Sequence, residues 1–196
     1  MIAATLTASA AAAIHWDAII VGAGPAGSAT AIRLSRNGLR VLLIDRGSMP
    51  RPKVCGCCLS PQAMAELGSL LGGYDSEPRP IPLRLVRILA RDGDARIPMQ
   101  GGGTLSREAL DPLLVRRALD AGADWLPRCS VRDCEDLDGT VHLRVRCDDG
   151  SLEAPRENLA PAIPAMLHGE LCILATGLAD HVRIRSARPV ARIQSS

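Results

Sequence analysis

One stretch near the start of the chain constrains the fold more than any other, DAIIVGAGPAGSATAIRLSRNGLRVLLID from Asp17 to Asp45. The apolar run Ala18 to Val21 is typical of a strand covered on both faces. From Pro25 to Asn37 the apolar residues recur at helical spacing, and Gly38 follows as a C-cap. Val41 to Ile44 repeats the buried-strand pattern. The stretch therefore predicts a βαβ unit.

Three glycines between the first strand and the helix form the pattern G-x-G-x-x-G. The first glycine allows a tight turn, the second lets phosphate approach the backbone, and the third lets helix and strand pack closely. The helix N-terminus then offers free amides and a positive dipole end to a pyrophosphate. A plain glycine-rich turn is the alternative, which the surrounding strands and helix disfavour. The predicted contacts in this turn are Gly22, Ala23, Gly24, Pro25, Ala26 and Gly27.

The chain after Asp45 does not continue with the βα repeats of a nicotinamide dehydrogenase. Ser60 and Pro61 predict the start of a short helix, and strands at Leu83 to Leu89 and Ala95 to Met99 flank the turn RDGD. A hairpin inserted into a nucleotide fold is typical of flavoproteins. We therefore predict an α/β fold, a Rossmann-like FAD-binding domain in which a parallel sheet with helices carries inserted antiparallel β-hairpins. An NAD-dependent dehydrogenase is the less favoured alternative.

Two later segments have a distinct pattern. Pro112 does not fit an uninterrupted helix, because its ring removes a backbone donor and clashes with the preceding turn. We therefore expect Asp111 to cap a helix that begins at Pro112, after a short turn that carries Arg107. The sequence TVHLRVRC at 140–147 alternates with period two and predicts a strand, which residues 151–154 could pair with across a DDG turn.

Five segments carry a family pattern: VGAGPAG at 21–27, IDR at 44–46, PRPKVCG at 50–56, LSREALDPLLVRRALDAGA at 105–123 and ELCILATG at 170–177. With them the chain resembles the N-terminal half of FAD-dependent oxidoreductases of the geranylgeranyl reductase and aromatic hydroxylase group. Residues 155–169 are interpreted as an insertion. The resemblance implies FAD as the cofactor and NAD(P)H as a transient electron donor.

Several roles in cofactor binding follow from the resemblance. Asp45, which closes the second strand, and Arg46 would hold the adenosine ribose and its surroundings. A carboxylate in that position accepts hydrogen bonds from a ribose hydroxyl and repels the 2′-phosphate of NADP. The loop near the flavin would contain Lys53, Cys55 and Gly56.

The remaining implied contacts lie later in the chain. Arg107 would reach the cofactor phosphates, and the peptide groups around Val131 would meet the adenine edge. Thr176 and Gly177 would approach the cofactor from the fifth strand. Two alternatives stay open: Arg107 could be solvated in the first turn of its helix, and Cys55 could be a packing residue.

The predicted organisation has three parts: a loose extension at 1–15, an FAD-binding domain at 16–177 and an irregular tail at 178–196. Family members continue with a second glycine and aspartate motif and a substrate wall, neither of which follows Gly177. The implied function is an FAD-dependent oxidoreductase, of reductase or monooxygenase type, acting on a hydrophobic or aromatic small molecule. The alternative is a truncated, non-catalytic FAD-binding fragment, or one that needs a partner chain to complete the flavin site. No catalytic residue is identified.

Composition disfavours several other partners. A net charge of +2 and three aromatic residues argue against nucleic-acid binding, and no apolar run reaches the ~18 to 20 residues of a membrane span. The Cys-x-x-Cys pair at 55–58 has no second pair beside it, so no metal site is predicted. Seven cysteines without regular spacing predict mostly free thiols and a cytoplasmic protein. Four of them are expected to be small buried residues: Cys129, Cys134, Cys147 and Cys172.

Overall fold

The computed structural model describes residues 1–55, 57–73, 78–148, 163–177 and 182–185. The helices in this part are α1 (Ala8–Ala12), α2 (Pro25–Arg36), α3 (Pro61–Leu71) and α4 (Arg107–Asp120). The strands are β1 (His15–Val21), β2 (Val41–Ile44), β3 (Cys58–Leu59), β4 (Ile81–Pro82), β5 (Leu85–Ala90), β6 (Gly93–Pro98), β7 (Gly103–Thr104), β8 (Asp124–Leu126), β9 (Cys129–Leu137), β10 (Thr140–Cys147), β11 (Ile163–Leu174) and β12 (Arg183–Arg185).

Among the described residues, seven strands form one sheet in the order β12-β9-β10-β11-β1-β2-β8. Strands β11, β1, β2 and β8 run parallel, while β9, β10 and β11 form an antiparallel meander. Strands β3, β7 and β4 form a second, antiparallel sheet, and β5 pairs with β6 in a hairpin. The prediction of an α/β fold with a parallel sheet and inserted antiparallel hairpins is confirmed.

The two faces of the parallel sheet pack into two separate apolar cores. Successive side chains of a strand point to opposite faces, and Ile19 and Ile20 of β1 are both fully buried. Ile20 packs with residues of helices α2 and α4, whereas Ile19 packs with Leu143 and Leu167 of the meander. The first strands are therefore covered on both faces, as their apolar runs predict.

Most predicted local elements are found where the sequence places them. Helix α2 ends at Arg36 with Asn37 as its C-cap, and Gly38 follows with a φ of +82°. The hydroxyl of Ser60 caps α3 by accepting a hydrogen bond from the Ala63 amide at 3.1 Å. The predicted hairpin forms with strands β5 and β6, which are shifted by one or two residues from the expected bounds.

Helix α4 corrects the prediction of a break at Pro112. The helix starts at Arg107 with Ser106 as its N-cap and includes Pro112 without interruption. Pro112 lies in the second turn, so its missing N–H removes only one intrahelical hydrogen bond while its ring is buried. Asp111 is therefore not a cap, and its carboxylate is free to pair with Arg107 one turn earlier.

The N-terminal 15 residues are docked, which corrects the expectation of a loose extension. The Ile2 amide donates to the Met49 carbonyl at 3.0 Å. The Ile2 side chain packs in the apolar core that contains residues of helices α2 and α4. The Thr5 hydroxyl donates to Asp124 at 2.6 Å and accepts from the Trp125 amide at 2.8 Å. Because Thr5 satisfies polar groups of the edge strand β8, this segment covers a sheet edge.

Later segments show further differences from the sequence-based expectations. Strand β11 includes residues 163–169, which were expected to belong to an insertion, and β12 lies within the expected irregular tail. Strand β10 pairs with β9 and β11. Its expected partner at 151–154 lies outside the described residues, as does Gly56.

Cysteine pairing also differs from the prediction. Cys129 and Cys147 lie opposite each other in the β9 and β10 ladder, with Cα atoms 4.0 Å apart, and are joined by a disulfide. They are buried as expected, but they are not separate small residues. The other five cysteines all lie in the described part and form no disulfide.

Three histidines lie side by side on adjoining strands of the main sheet. His15 of β1 and His142 of β10 are the cross-strand neighbours of His168 in β11. The Nδ1 atoms of His168 and His142 are 2.9 Å apart, and His15 pairs with Glu170 at 2.6 Å. Burial, and then repulsion by His142 and His15, lowers the pKa of His168.

We expect acid to weaken the fold through His168. Its folded pKa is lowered, so the unfolded chain takes up a proton at a higher pH than the folded chain does. The free energy of unfolding should therefore fall as the pH drops below about 6.5, the ordinary histidine value. Urea midpoints measured on both sides of that pH should show this loss, and His168→Gln should reduce it. An unchanged pH dependence in His168→Gln would contradict the assignment.

Candidate functional site

The glycine turn between β1 and α2 is closed against the end of β11. Gly22 has a φ of +107°, and a Cβ built on it would lie 2.3 Å from the Ala175 carbonyl oxygen. A Cβ on Gly27 would lie 1.8 Å from the Gly22 carbonyl oxygen. Real Cβ atoms do not tolerate such distances, so both positions require glycine. The turn has the tight backbone that the motif predicts.

Helix α2 has Gly24 as its N-cap, and Pro25 is its first residue. Because glycine has no side chain, no side-chain hydrogen bond caps this end of the helix. The amides of the first helical turn are therefore available to an anion, whose charge the helix dipole favours. Arg107 from α4 lies next to this turn, with its Nη2 atom 3.3 Å from a Cβ built on Gly24.

The Asp45 carboxylate lies directly beside the glycine turn, as predicted. Its Oδ2 atom accepts from the Ala23 amide at 2.8 Å, and its Oδ1 atom accepts from the Gly47 amide at 2.8 Å. The residue is only 4% exposed. The Asp45 carbonyl accepts from the Cys129 amide at 3.0 Å, which brings the start of β9 to the same place. Asp45 thus connects the turn, the end of β2 and the meander.

Arg51 completes the surroundings of Asp45 and was not predicted from the sequence. Its Nη2 atom is 2.6 Å from Asp45 Oδ2, and its side chain is 18% exposed. Its Nη1 atom would lie 2.5 Å from a Cβ on Gly47, so the guanidinium packs against that glycine. A buried carboxylate at a strand end requires a positive or hydrogen-bonding partner, which was the available signal.

A pocket of about 350 Å³ adjoins these groups. The structure brings six of the predicted site residues to its walls: Gly22, Asp45, Arg46, Lys53, Val131 and Thr176. Five further lining residues were not predicted: Val21, Arg51, Cys129, Ser130 and Arg132. The pocket lies at the carboxyl ends of the parallel strands, where open α/β sheets bind their ligands.

The charges of the pocket are mostly positive. Arg46, Arg51, Lys53 and Arg132 line it, with Asp45 as the acidic lining residue. Burial, followed by repulsion from Arg51, lowers the pKa of Lys53. Lys53 thus lies on the Asp45 side of the site, and its predicted position near a flavin stays a prediction. Such a pocket suits a ligand with negative charge next to hydrogen-bonding hydroxyls.

Arg107 is held in place by a buried carboxylate. Its Nε and Nη2 atoms donate to the two oxygens of Asp111 at 2.6 and 2.8 Å. The Asp111 side chain is 0% exposed and that of Arg107 is 21% exposed. The hydrogen bond to Asp111 is the main reason that the pKa of Arg107 is raised, and Cys55 also contacts the guanidinium. The solvated alternative for Arg107 is therefore wrong.

Asp111 was missed as a site residue. The available signal was its spacing of four residues from Arg107, which places both side chains on one helix face.

The remaining predicted residues have simpler surroundings. Ala26 accepts from the Thr30 hydroxyl at 2.8 Å, and Gly177 follows β11 with a φ of +80°.

No group of three or more metal-binding side chains is found among the residues that the structure describes. In the same part of the chain, no helix is both long and apolar enough to cross a membrane.

Comparisons with known proteins bear on the ligand of this site. Residues 20–70 match the family of NAD(P)-binding Rossmann-like domains. The chain is 38% identical to the menaquinone reductase of Mycobacterium tuberculosis over 117 residues, which are 56% of this chain and 28% of that protein. It is 31% identical to protein FixC of Escherichia coli K12 over 180 residues, which are 86% of this chain and 40% of that protein.

Solved structures show the same fold. The myxobacterial FAD-dependent chondrochloren halogenase superposes with a TM-score of 0.71 at 23% identity, over 85% of this chain and 38% of that one. A geranylgeranyl bacteriochlorophyll reductase-like protein of Thermoplasma acidophilum gives 0.62 at 21%, over 83% and 39%. This chain carries the Rossmann domain of the FAD-dependent oxidoreductases. The chain spans 28% to 40% of the length of the curated relatives described above.

The residues of this FAD-binding domain fit a dinucleotide. Side chains at Gly22 or Gly27 would collide with backbone atoms, so the turn keeps its backbone open to a ligand. The capless start of α2 offers amides to a pyrophosphate, and Arg107 adds a positive charge beside Gly24. The pocket next to Asp45 has space and hydrogen-bonding groups for the adenosine end.

Proposed function

We propose that this chain binds FAD as part of an oxidoreductase that reduces or hydroxylates a hydrophobic or aromatic small molecule with electrons from NAD(P)H. The observation that carries the proposal is the position of Asp45 at the glycine turn, in the lining of a pocket that four cationic side chains also line. The similarity to a menaquinone reductase and to a probable electron transfer flavoprotein-quinone oxidoreductase of Escherichia coli favours a quinone as the substrate class.

In this proposal each part of FAD has its own binding residues. The amides that follow Gly24 bind the pyrophosphate, with Arg107 neutralising its charge. Asp45 accepts from the ribose hydroxyls and Arg51 keeps its carboxylate in position. The backbone around Val131 contacts the adenine edge, while Thr176 and Gly177 lie beside the cofactor. Bound FAD would supply the transfer of electrons, and the protein supplies orientation and shielding from water.

A second function is supported by the share of the relatives that the chain covers. At 28% to 40% of their length, it would contain the adenosine side of a flavin site. Among the described residues that line the pocket, Asp45 is the one carboxylate and none is a histidine. We propose as the alternative a non-catalytic FAD-binding unit, or one whose flavin site is completed by a partner chain. We also propose a cytoplasmic location, for which the support is the irregular spacing of the seven cysteines in the sequence.

Reconstitution with FAD tests the first step of both readings. The purified chain is incubated with FAD, freed of unbound cofactor and examined by absorbance. We expect a retained flavin spectrum, and a colourless protein would overturn the proposal. Addition of NADPH or NADH then separates the two functions, because bleaching of the flavin supports an oxidoreductase and no bleaching supports a non-catalytic unit. Retention of NADH in preference to FAD would favour a dehydrogenase.

Removal of the Asp45 carboxylate is expected to weaken FAD binding by about 10 to 100 fold, since the proposed charge-assisted hydrogen bonds to the ribose hydroxyls are lost. Asp45→Ala removes the acceptor for the Ala23 amide and for the ribose. Asp120→Ala is the matched control, because Asp120 is a 66% exposed carboxylate in a surface ion pair. FAD titration followed by flavin fluorescence gives the two dissociation constants. Equal affinities, with unchanged circular dichroism, would remove Asp45 from the site.

A further inference from the structure

The disulfide between Cys129 and Cys147 lies in the wall of the pocket beside Asp45. Cys129 lines this pocket, and so do the two residues that follow it, Ser130 and Val131. The Cys129 amide donates to the Asp45 carbonyl at 3.0 Å. The disulfide therefore joins the end of β10 to the segment that forms one wall of the pocket and contacts Asp45.

The turn before Cys129 has a conformation that its surroundings must hold. Arg128 has a φ of +56°, in the left-handed region that arginine rarely adopts. Its amide donates to the Gly47 carbonyl at 3.3 Å, and its carbonyl accepts from the Asp148 amide at 3.1 Å. The disulfide links the residue after Arg128 to Cys147, the residue before Asp148. It therefore reinforces the contacts that keep this turn against the pocket.

Reduction of the disulfide would change the shape of this wall. Two thiols must lie farther apart than two bonded sulfur atoms, because they stay at van der Waals distance. Cys129 is 2% exposed and Cys147 is 5% exposed, and the ladder of β9 and β10 places them directly opposite each other. One thiol must therefore move away from the ladder. Since Cys129 lines the pocket, its thiol can turn into the space that an adenosine would occupy.

A second cavity gives access to the disulfide from the other side. It has a volume of about 470 Å³, and both Cys129 and Cys147 line it together with residues of the N-terminal segment. A thiol that enters this cavity meets the sulfur atoms without passing through the cofactor pocket. Disulfides of cytoplasmic proteins are usually transient or redox-sensing, so the proposed cytoplasmic location favours a bond that is made and broken.

We propose that the disulfide between Cys129 and Cys147 is a redox switch of the cofactor pocket: the oxidised chain binds FAD tightly and the reduced chain binds it weakly. This inference rests on the proposed function for its ligand. It assigns to the two cysteines a role in regulating the pocket, in addition to joining two strands.

A dithiol supplies the two electrons and two protons of the reduction. One of its thiolates attacks a sulfur of the disulfide, so that the bond between Cys129 and Cys147 breaks and a mixed disulfide forms. The cysteine that leaves takes up a proton. The second thiol of the reductant then attacks the mixed disulfide and releases the other cysteine as a thiol, and the reductant is left as a disulfide. A small-molecule disulfide restores the bond by the reverse exchange.

FAD titration in two redox states tests the switch. One sample of the purified chain keeps the disulfide, another is reduced with dithiothreitol, and both are freed of reagent under nitrogen. A thiol assay should count five thiols in the first sample and seven in the second. Flavin fluorescence then gives the two dissociation constants. We expect the constant of the reduced chain to be about tenfold higher, which is within the range that overpacking of a close-fitting site costs.

Two variants identify the cysteines that respond. Cys129→Ser with Cys147→Ser cannot form the disulfide, so its affinity for FAD should be the same before and after dithiothreitol. Cys134→Ser is the matched control, because Cys134 is a buried cysteine of the same strand that forms no disulfide. It should keep the tenfold response. Near-native circular dichroism in every variant shows that the fold is retained.

Three outcomes would overturn the switch. They are a count of five thiols after dithiothreitol, equal FAD affinity in the two redox states, and a response to dithiothreitol that persists in the double variant. The proposed function fails separately, if the oxidised chain binds no FAD. Hydrogen exchange of the Cys129 amide then decides the inference, because a disulfide that holds this wall predicts faster exchange in the reduced chain. Equal exchange rates would overturn it.

Discussion

Gly27→Ala should destabilise the folded chain by about 3 kcal/mol or more, at the upper end for overpacking, and should abolish FAD retention. The added Cβ would lie 1.8 Å from the Gly22 carbonyl oxygen. Gly22 cannot retreat, because a shift would drive it toward the Ala175 carbonyl and strain its hydrogen bond to Ile44. Helix α2 must therefore move away from β1, which opens the turn. Urea unfolding gives the loss of stability.

Gly93→Ala provides the control for this substitution. Gly93 begins β6, and a Cβ there would meet nothing within 4 Å. The change should alter the free energy of unfolding by less than about 0.5 kcal/mol and leave FAD binding intact. If Gly27→Ala instead behaved like Gly93→Ala, the close contact between helix and strand would not exist. The geometry of the turn would then no longer support dinucleotide binding.

The βαβ unit was predictable because its signals are local. Apolar runs, a glycine pattern and an acid at a strand end are all read within residues 17–45, and the structure places Asp45 at the turn they predict. The capped helix α3 and the β5–β6 hairpin are local as well, since a Ser-Pro start and a short turn determine them.

The wrong predictions concern features that depend on contacts between residues far apart in the sequence. Residues 1–15 have no periodic pattern, yet Thr5 bonds to Asp124 across the chain. The disulfide depends on the register of β9 against β10, which places Cys129 opposite Cys147 and which spacing alone does not reveal. Arg51 could not be assigned to Asp45 without the path of the loop between them.

Helix α4 shows a local rule overridden by its surroundings. Pro112 predicts a helix start, but the turn before it is retained by the Ser106 cap and by burial of the side chains on both sides. The continuous helix then places Arg107 and Asp111 one turn apart, which makes their ion pair available. Correct placement of the proline is thus also what identifies Asp111 as a residue of the site.

Asp111→Ala should cost about 3 kcal/mol of stability and lower FAD affinity by roughly tenfold, because it leaves the Arg107 guanidinium without its carboxylate. Arg107 is 21% exposed and can partly turn toward water, which limits the loss. Arg107→Leu should be worse for stability, since Asp111 is 0% exposed and its carboxylate would stay buried without a partner. Urea unfolding measures both variants.

The double variant Arg107→Leu, Asp111→Leu separates stability from binding. Replacing both members of a buried pair with apolar groups is often neutral, so stability should recover toward that of the unaltered chain. FAD affinity should stay low, because no positive charge remains beside Gly24 to neutralise the pyrophosphate. If affinity recovered together with stability, the pair would serve only to hold α4. A persistent loss of affinity in a stable protein assigns Arg107 to the cofactor and Asp111 to its positioning.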